Sequence, residues 1–259
     1  MDTDNTLSQQ DIEYFREQGF LLHDLLEPQE VIAVQQTLEQ IEREGSSGDP
    51  ALTYVGPHLF EIYDVPRRQG VLSRLVRHPR LLKMVTQLLG GLVDVSAGLM
   101  LDKPESNNWE MDWHQDTSVY SLEIPPGSPG ALRGGLPTFR PLDNTMTFCV
   151  TARIAVDMAS IEHGNIYVIP ETHRENLWPD GGKKFKGQIG VGCSQTPGSV
   201  LFYCPLIMHR AEKNQHKGTR RRVIHITYRP TGLKLPYTTW YPWPQPSPLT
   251  PVQSLWKEK

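Results

Sequence analysis

The chain is poor in cysteine, in long apolar runs and in excess charge of either sign. Only Cys149, Cys193 and Cys204 occur among 259 residues, an odd number without regular spacing. That excludes a disulfide framework and fits a reduced, intracellular protein. No stretch approaches the roughly 18 apolar residues that cross a bilayer. The opening MDTDNTLSQQ is acidic and polar, unlike a signal or transit segment. A cytoplasmic location without membrane contact is the expectation. A net charge of −3 argues against general nucleic-acid binding. Internal repeats are absent, and the length suits one domain that needs no staple.

What is present divides by character. Before Gly91 the signals are helical: Ser8 with Asp11 as an N-cap pair, Pro28 opening a stripe of Val31, Val34, Leu38 and Ile41, and Pro79 opening Leu82, Val85 and Leu89 with Gly90 as C-cap. Beyond Gly91, short apolar runs punctuated by Gly, Pro and Asn predict strands over 92–102, 110–116, 145–157, 164–170, 198–208 and 221–229. The expected organisation is one domain over 1–259: a helix-rich part (1–91), a β core (92–235) and a Pro/Trp-rich tail (236–259). Residues 118–144, with five prolines and four glycines, read as a long loop and a candidate lid. The tail, with Trp240, Trp243 and Trp256, reads as a wrap anchored on the core.

Three residues carry the chemistry. His114 and Asp116 in WHQD lie two apart on a predicted strand, so both project to one face. His209, at the end of the run GSVLFYCPLIMH, is placed to supply a third donor from a second strand. Two imidazoles and a carboxylate on one face of a metal leave the opposite face open, the arrangement of non-haem ferrous oxygenases. His-x-acid alone is a weak signal, and His173-x-Glu175 is a rival. His173 follows NIYVIPET, where a structural histidine closing a turn is expected instead. Of the other histidines, His78 reads as a helix-entry residue, His163 as a turn residue, His216 as solvated and His225 as packed or hydrogen-bonded. Trp109, Trp113 and Tyr120 are candidates for an apolar substrate pocket, although aromatics at such spacing equally form core.

With these residues in view, the chain resembles the phytanoyl-CoA dioxygenase family of Fe(II)/2-oxoglutarate oxygenases over nearly its whole length. LSQQDIEYFREQGFLLHDLLEPQEV, MLDKPESNNWEMDWHQD, TARIAVDMASIEHGNIYVIPETH and PGSVLFYCPLIMHRAEKNQHKGTRRRVIHITY resemble the family's segments in order. The resemblance implies a mainly β fold with flanking helices, the double-stranded β-helix or jelly roll. It implies His114, Asp116 and His209 as iron ligands, with Fe(II), 2-oxoglutarate and dioxygen as cofactor and co-substrates. It implies Arg220, eleven residues past His209, as partner of the distal carboxylate of 2-oxoglutarate. Arg220 and Arg222 share parity with Ile224, Ile226 and Tyr228, so either is expected to point inward with that apolar face. Two departures concern the pocket: Arg153 stands where members often carry a tryptophan near 2-oxoglutarate, and Leu99 aligns with another pocket-lining position.

The activity so implied is hydroxylation, or a related oxidation, of an aliphatic C–H of a small molecule, with release of succinate and carbon dioxide. A natural-product intermediate is the favoured substrate type. The alternatives are an acyl-CoA hydroxylase, whose basic groove Lys183, Lys184 and Lys186 would supply, and a cupin-type enzyme or binding module that does not use 2-oxoglutarate. Oligomeric state is not legible in the sequence.

Overall fold

The computed structural model describes residues 7–45 and 48–246; Trp256 lies outside them. The helical signals fall where capping chemistry puts them. Helix α1 (Gln9–Gln18) opens on a reciprocal Ser8–Asp11 capping box and stops at Gly19 in the left-handed region. Strand β1 (Phe20–Asp24) follows, then α2 (Pro28–Glu44), which has Pro28 in its first turn and buries Val31, Val34 and Leu38. The N-terminal part also holds a hairpin, β2 (Leu52–Val55) with β3 (His58–Ile62), and two further helices, α3 (Val71–Val76) and α4 (Pro79–Leu89), the last capped by Gly90. It is therefore not purely helical, because β1, β2 and β3 are all members of the main sheet.

The remaining strands are β4 (Val93–Leu101), β5 (Met111–His114), β6 (Val119–Tyr120), β7 (Gly130–Arg133), β8 (Leu136–Phe139), β9 (Val150–Ala155), β10 (Ile166–Ile169), β11 (Val191–Gly192), β12 (Ser199–Tyr203), β13 (Met208–Ala211) and β14 (Val223–Pro230). A short helix, α5 (Gly181–Lys184), precedes β11. Seven strands form the major sheet in the order β1-β12-β9-β14-β4-β3-β2, and β11-β10-β13-β5 form the minor one. This is the double-stranded β-helix expected from the sequence.

Side-chain alternation sorts the major sheet into two faces. Val150, Ala152 and Ile154 of β9 and Ile224, Ile226 and Tyr228 of β14 join the large core that includes Leu81, Met84 and Val85 of α4. The opposite face looks into the barrel, where Leu201 and Tyr203 of β12 pack with Ile166 and Val168 of β10. The Tyr228 hydroxyl, wholly buried on the helix side, donates to the Val76 carbonyl at 2.7 Å.

Two sequence expectations change in detail. The run 198–208 is not one strand. Pro205 has no N–H for a ladder, so β12 ends at Tyr203 and the chain turns before β13 carries His209 into the minor sheet. Nor is 118–144 a structureless loop, since β6, β8 and β7 make a small sheet of their own. Its hairpin turns on Gly134 and Gly135, both at positive φ (55° and 76°), as a two-residue turn matched to strand twist requires. A Cβ at Gly134 would fall 2.4 Å from the Tyr63 Cβ, so the hairpin tip rests directly on the residue after β3. In the tail, Trp240 and Trp243 are buried, and Trp243 Nε1 donates to the Ser96 carbonyl at 2.8 Å.

Candidate metal centre and its cavity

His114 closes β5, and His209 sits opposite it as its register partner on β13. The ring centroids lie 4.2 Å apart. Asp116 stands just beyond the strand. Its N–H donates to the Pro205 carbonyl at 2.8 Å, which ties the segment after β5 to the turn before β13. Asp116 Oδ1 is 3.8 Å from His114 Nε2, and Oδ2 is 3.6 Å from His209 Nε2. The ligand atoms of all three residues lie within 4.8 Å of one another, the only such grouping among the described residues.

The donor set fits a ferrous ion. Nδ1 of His114 faces the Asp112 carbonyl at 2.8 Å, and Nδ1 of His209 faces the Ile207 carbonyl at 2.9 Å. A carbonyl only accepts, so each Nδ1 carries the proton and each Nε2 presents a lone pair to the same point. Burial, and then the neighbouring His114, pull His209 down to about 4, so its imidazole is neutral at physiological pH. Asp116 opens onto the cavity. Burial would raise its carboxyl, but His209, His114, His225 and the Tyr203 hydroxyl together hold it below the usual carboxylate value. The Tyr203 hydroxyl donates to Asp116 Oδ2 at 3.0 Å and lies 3.1 Å from His225 Nδ1. His225 is hydrogen-bonded, one of the two roles read for it in the sequence, but its place behind the carboxylate with Tyr203 was not foreseen. Its parity with Arg221 and Thr227 was the available signal.

A cavity of about 1000 Å³ opens beside the three ligands. Leu99, Trp109, Trp113, Tyr120, Arg153 and Arg221 all line it. Leu99, His225 and Arg153 are register partners across β4, β14 and β9, and so lie side by side on the barrel floor. Arg153 is fully buried rather than exposed. Its guanidinium donates to the Gln195 side chain, while Nε and Nη2 have no partner.

The Arg220–Arg222 run departs from expectation. The apolar face of β14, with which Arg220 and Arg222 share parity, packs on the helices rather than into the cavity. Arg220 accordingly does not line the cavity. It donates to Asp102 Oδ2 at 2.7 Å and to Glu42 Oε1 and Oε2 at 2.9 and 2.7 Å. Arg222 forks onto Asp157, at 2.8 Å to each oxygen. Arg221, of opposite parity, turns inward. It is 1% exposed, its guanidinium stacks over Trp109 at 5.5 Å, and its Nε and Nη2 are buried without a partner. Burial, and then Arg153, bring Arg221 down to about 9, while burial brings Arg153 to about 10, so both remain charged at neutral pH. Two buried cations without a carboxylate call for an anionic ligand.

The other expectations are placed as follows. His173, the rival, lies on a turn against Gly19, with Nε2 3.2 Å from the Arg16 carbonyl, and takes no part in the metal group. His163 and His216 stack at 4.2 Å, and His216 pairs with Glu162, so His216 is less free than expected. Lys183 and Lys186 stand at the cavity rim, Lys183 paired to Asp180 at 2.8 Å. All three cysteines are buried and free, and among the described residues no helix is long and apolar enough to cross a membrane.

Comparison with known proteins agrees with this architecture. The chain is 26% identical over 175 residues to the ectoine dioxygenase of Bordetella parapertussis, a match covering 66% of this chain and 51% of that protein. Thus it spans about half the length of that relative. It is 26% identical over 227 residues to the L-proline trans-4-hydroxylase of Streptomyces griseoviridis, covering 77% and 74% respectively. Among solved structures, EctD from S. alaskensis, crystallised with 2-oxoglutarate and 5-hydroxyectoine, superposes with a TM-score of 0.70 at 18% identity, covering 94% of this chain and 84% of that one. The non-heme alpha-ketoglutarate-dependent carbocyclase SnoK from nogalamycin biosynthesis gives 0.64 at 20% identity, covering 90% and 87%. The phytanoyl-CoA dioxygenase (PhyH) family matches residues 15–223, most of the sequence, and the chain belongs to the phytanoyl-CoA dioxygenase family.

Proposed function

We propose that the protein is an Fe(II)- and 2-oxoglutarate-dependent oxygenase that oxidises an aliphatic C–H of a small molecule. The observation that carries this reading is the pairing, in one cavity, of a two-histidine, one-carboxylate donor set with two buried guanidiniums that form no ion pair among the described residues. His114, Asp116 and His209 would hold the metal. Bound ferrous iron with 2-oxoglutarate supplies the oxidising power of dioxygen, with succinate and carbon dioxide as co-products. A metalloenzyme without an acidic co-substrate would have no use for Arg153 and Arg221, which disfavours the cupin-type alternative.

The chain's own residues do the rest. Arg221 takes the role that spacing assigned to Arg220, because its free edge can fork onto the distal carboxylate of 2-oxoglutarate. Arg153 faces the same anion from β9, and Leu99 gives the carbon chain an apolar floor. Tyr203, between Asp116 and His225, keeps the carboxylate turned towards the metal. The β7–β8 hairpin, resting on Tyr63, covers the cavity mouth and excludes water. A CoA thioester finds little support, since one of the three candidate lysines is already tied to an aspartate. Relatives named for ectoine and L-proline support a small polar substrate instead.

The test is anaerobic addition of Fe(II) and 2-oxoglutarate to the purified chain, followed by air. A visible charge-transfer band and then succinate are expected. Retention of both in Asp116→Ala would end the proposal.

A further inference from the structure

A second set of polar side chains lines the cavity and is not used by the metal or the co-substrate. Glu61 lies on β3, Tyr63 directly after it, and Tyr120 on β6. The Tyr63 hydroxyl donates to Glu61 Oε2. Burial, and then this bond to Glu61, push the Tyr63 phenol well above its usual value, so it stays a donor. No Lys or Arg nitrogen of the described residues lies within ion-pair distance of Glu61, and its Oε1 accepts no hydrogen bond from them. The contrast with the rest of the interior is sharp: Asp102 is held by Arg220 and Asp157 by Arg222.

Tyr120 supplies an independent observation. It is 5% exposed, and its ring is fixed edge-on to Trp243 at 5.3 Å. Yet its buried hydroxyl has no hydrogen-bond partner among the described residues. A buried hydroxyl left unsatisfied destabilises the fold by about 1–3 kcal/mol, so a partner is expected from the cavity's occupant. Glu61, Tyr120 and Arg133 line the same cavity. Arg133 lies on the exposed strand β7 and forms no ion pair with Glu61.

The cavity thus carries unmatched positive charge at Arg153 and Arg221 and unmatched negative charge at Glu61. An acidic co-substrate answers the first and not the second. A group that answers Glu61 must donate hydrogen bonds and is best positively charged. The aromatic rings of Tyr63, Tyr120 and Trp240, all lining the same cavity, favour a cation as well.

We propose that Glu61, assisted by the Tyr120 hydroxyl, binds a protonated nitrogen of the substrate, which makes the substrate class a small amine or amino acid. This rests on the oxygenase reading above. It adds a specificity residue, Glu61, on a strand that contributes no metal ligand.

The experiment begins with the anaerobic Fe(II)/2-oxoglutarate band, without substrate. Its absence would defeat the oxygenase reading itself. With the band present, the common L-amino acids other than lysine, arginine and histidine, together with pyrrolidine and piperidine, are added singly, alongside their N-acetyl counterparts, which carry no positive charge. At least one cationic compound is expected to shift the band and, in air, to raise succinate formation, while its N-acetyl form does neither. Silence of every cationic compound, or equal response to the neutral forms, overturns the proposal.

For the responding amine, Glu61→Gln is expected to raise KM roughly 10- to 100-fold, the range for a charged hydrogen bond. Tyr120→Phe should raise it by less. Glu13→Gln, on the outer helix α1, serves as a control that changes nothing. Far-UV circular dichroism and melting temperature establish that each variant is folded. An unchanged amine KM in folded Glu61→Gln overturns the assignment.

Discussion

Strand β14 and the run leading into it show two ways of using one stretch of chain. On one side, Ile224, Ile226 and Tyr228 are buried against the helices, and Arg220 and Arg222, of the same parity, are each locked to carboxylates. On the other, Arg221 and His225 carry buried nitrogens without partners. The first face is satisfied and contributes stability. The second is left incomplete among the described residues, which is what the proposed acidic co-substrate would answer. Adjacent residues with the same side chain therefore have opposite jobs, and alternation along the backbone assigns them.

The largest expected effect lies at the metal. His114→Ala or Asp116→Ala should reduce succinate formation to background while leaving the melting temperature of the metal-free protein near wild type, as calorimetry and a succinate assay would show. A large loss of stability would place these residues with the satisfied face instead.

The two arginines sharpen the comparison most directly. Arg221→Ala should raise the KM for 2-oxoglutarate at least about 30-fold, since truncating one partner of a buried charge pair costs roughly 2–5 kcal/mol of binding. Its melting temperature should hold or rise, because an unpaired buried charge is removed. Arg220→Ala should do the reverse. Asp102, wholly buried, loses its partner, and destabilisation of about 3–5 kcal/mol is expected with little change in that KM. Equal behaviour of the two variants would break the comparison.

Tyr203→Phe is expected to weaken iron binding by roughly 10- to 100-fold, the usual effect of removing a group that orients a ligand. Equilibrium dialysis with Fe(II) measures it.

The smallest effect concerns Lys103, which is fully buried and donates to the Gly164 and Glu212 carbonyls. Burial, with Arg221 and Arg153 nearby, brings its amine down to about 6. Between about 6 and the ordinary lysine value, the unfolded chain holds this proton and the folded one does not, so its contribution to stability rises with pH. Lys103→Met should flatten the increase in melting temperature between pH 7 and pH 9.

Much of this was legible in the sequence, for reasons that can be named. Ser8, Pro28, Pro79 and Gly90 encode helix ends through local hydrogen bonding and sterics, which need no tertiary context. WHQD and His209 were legible because metal chemistry restricts donor types. The hairpin in 118–144 was hidden because β7 is wholly exposed and so has no apolar periodicity, although Gly134-Gly135 marked its turn. Arg221 gave no sequence signal because parity with the apolar residues of β14 points to the inner face only if that face is apolar. In this barrel the helices receive the apolar face of β14, and Arg221, His225 and Thr227 face the cavity. Glu61 carries no local signal, since only tertiary structure brings β3 to the cavity.

The bond from the Asp116 amide to the Pro205 carbonyl joins the two stretches that carry the candidate ligands through main-chain atoms alone. Their mutual spacing is therefore set during folding and does not wait for an ion. Uptake of metal would then proceed at the rate at which the ion reaches and sheds water in a ready-made cup, and trimming a single donor would leave a shaped gap that free imidazole or formate could fill.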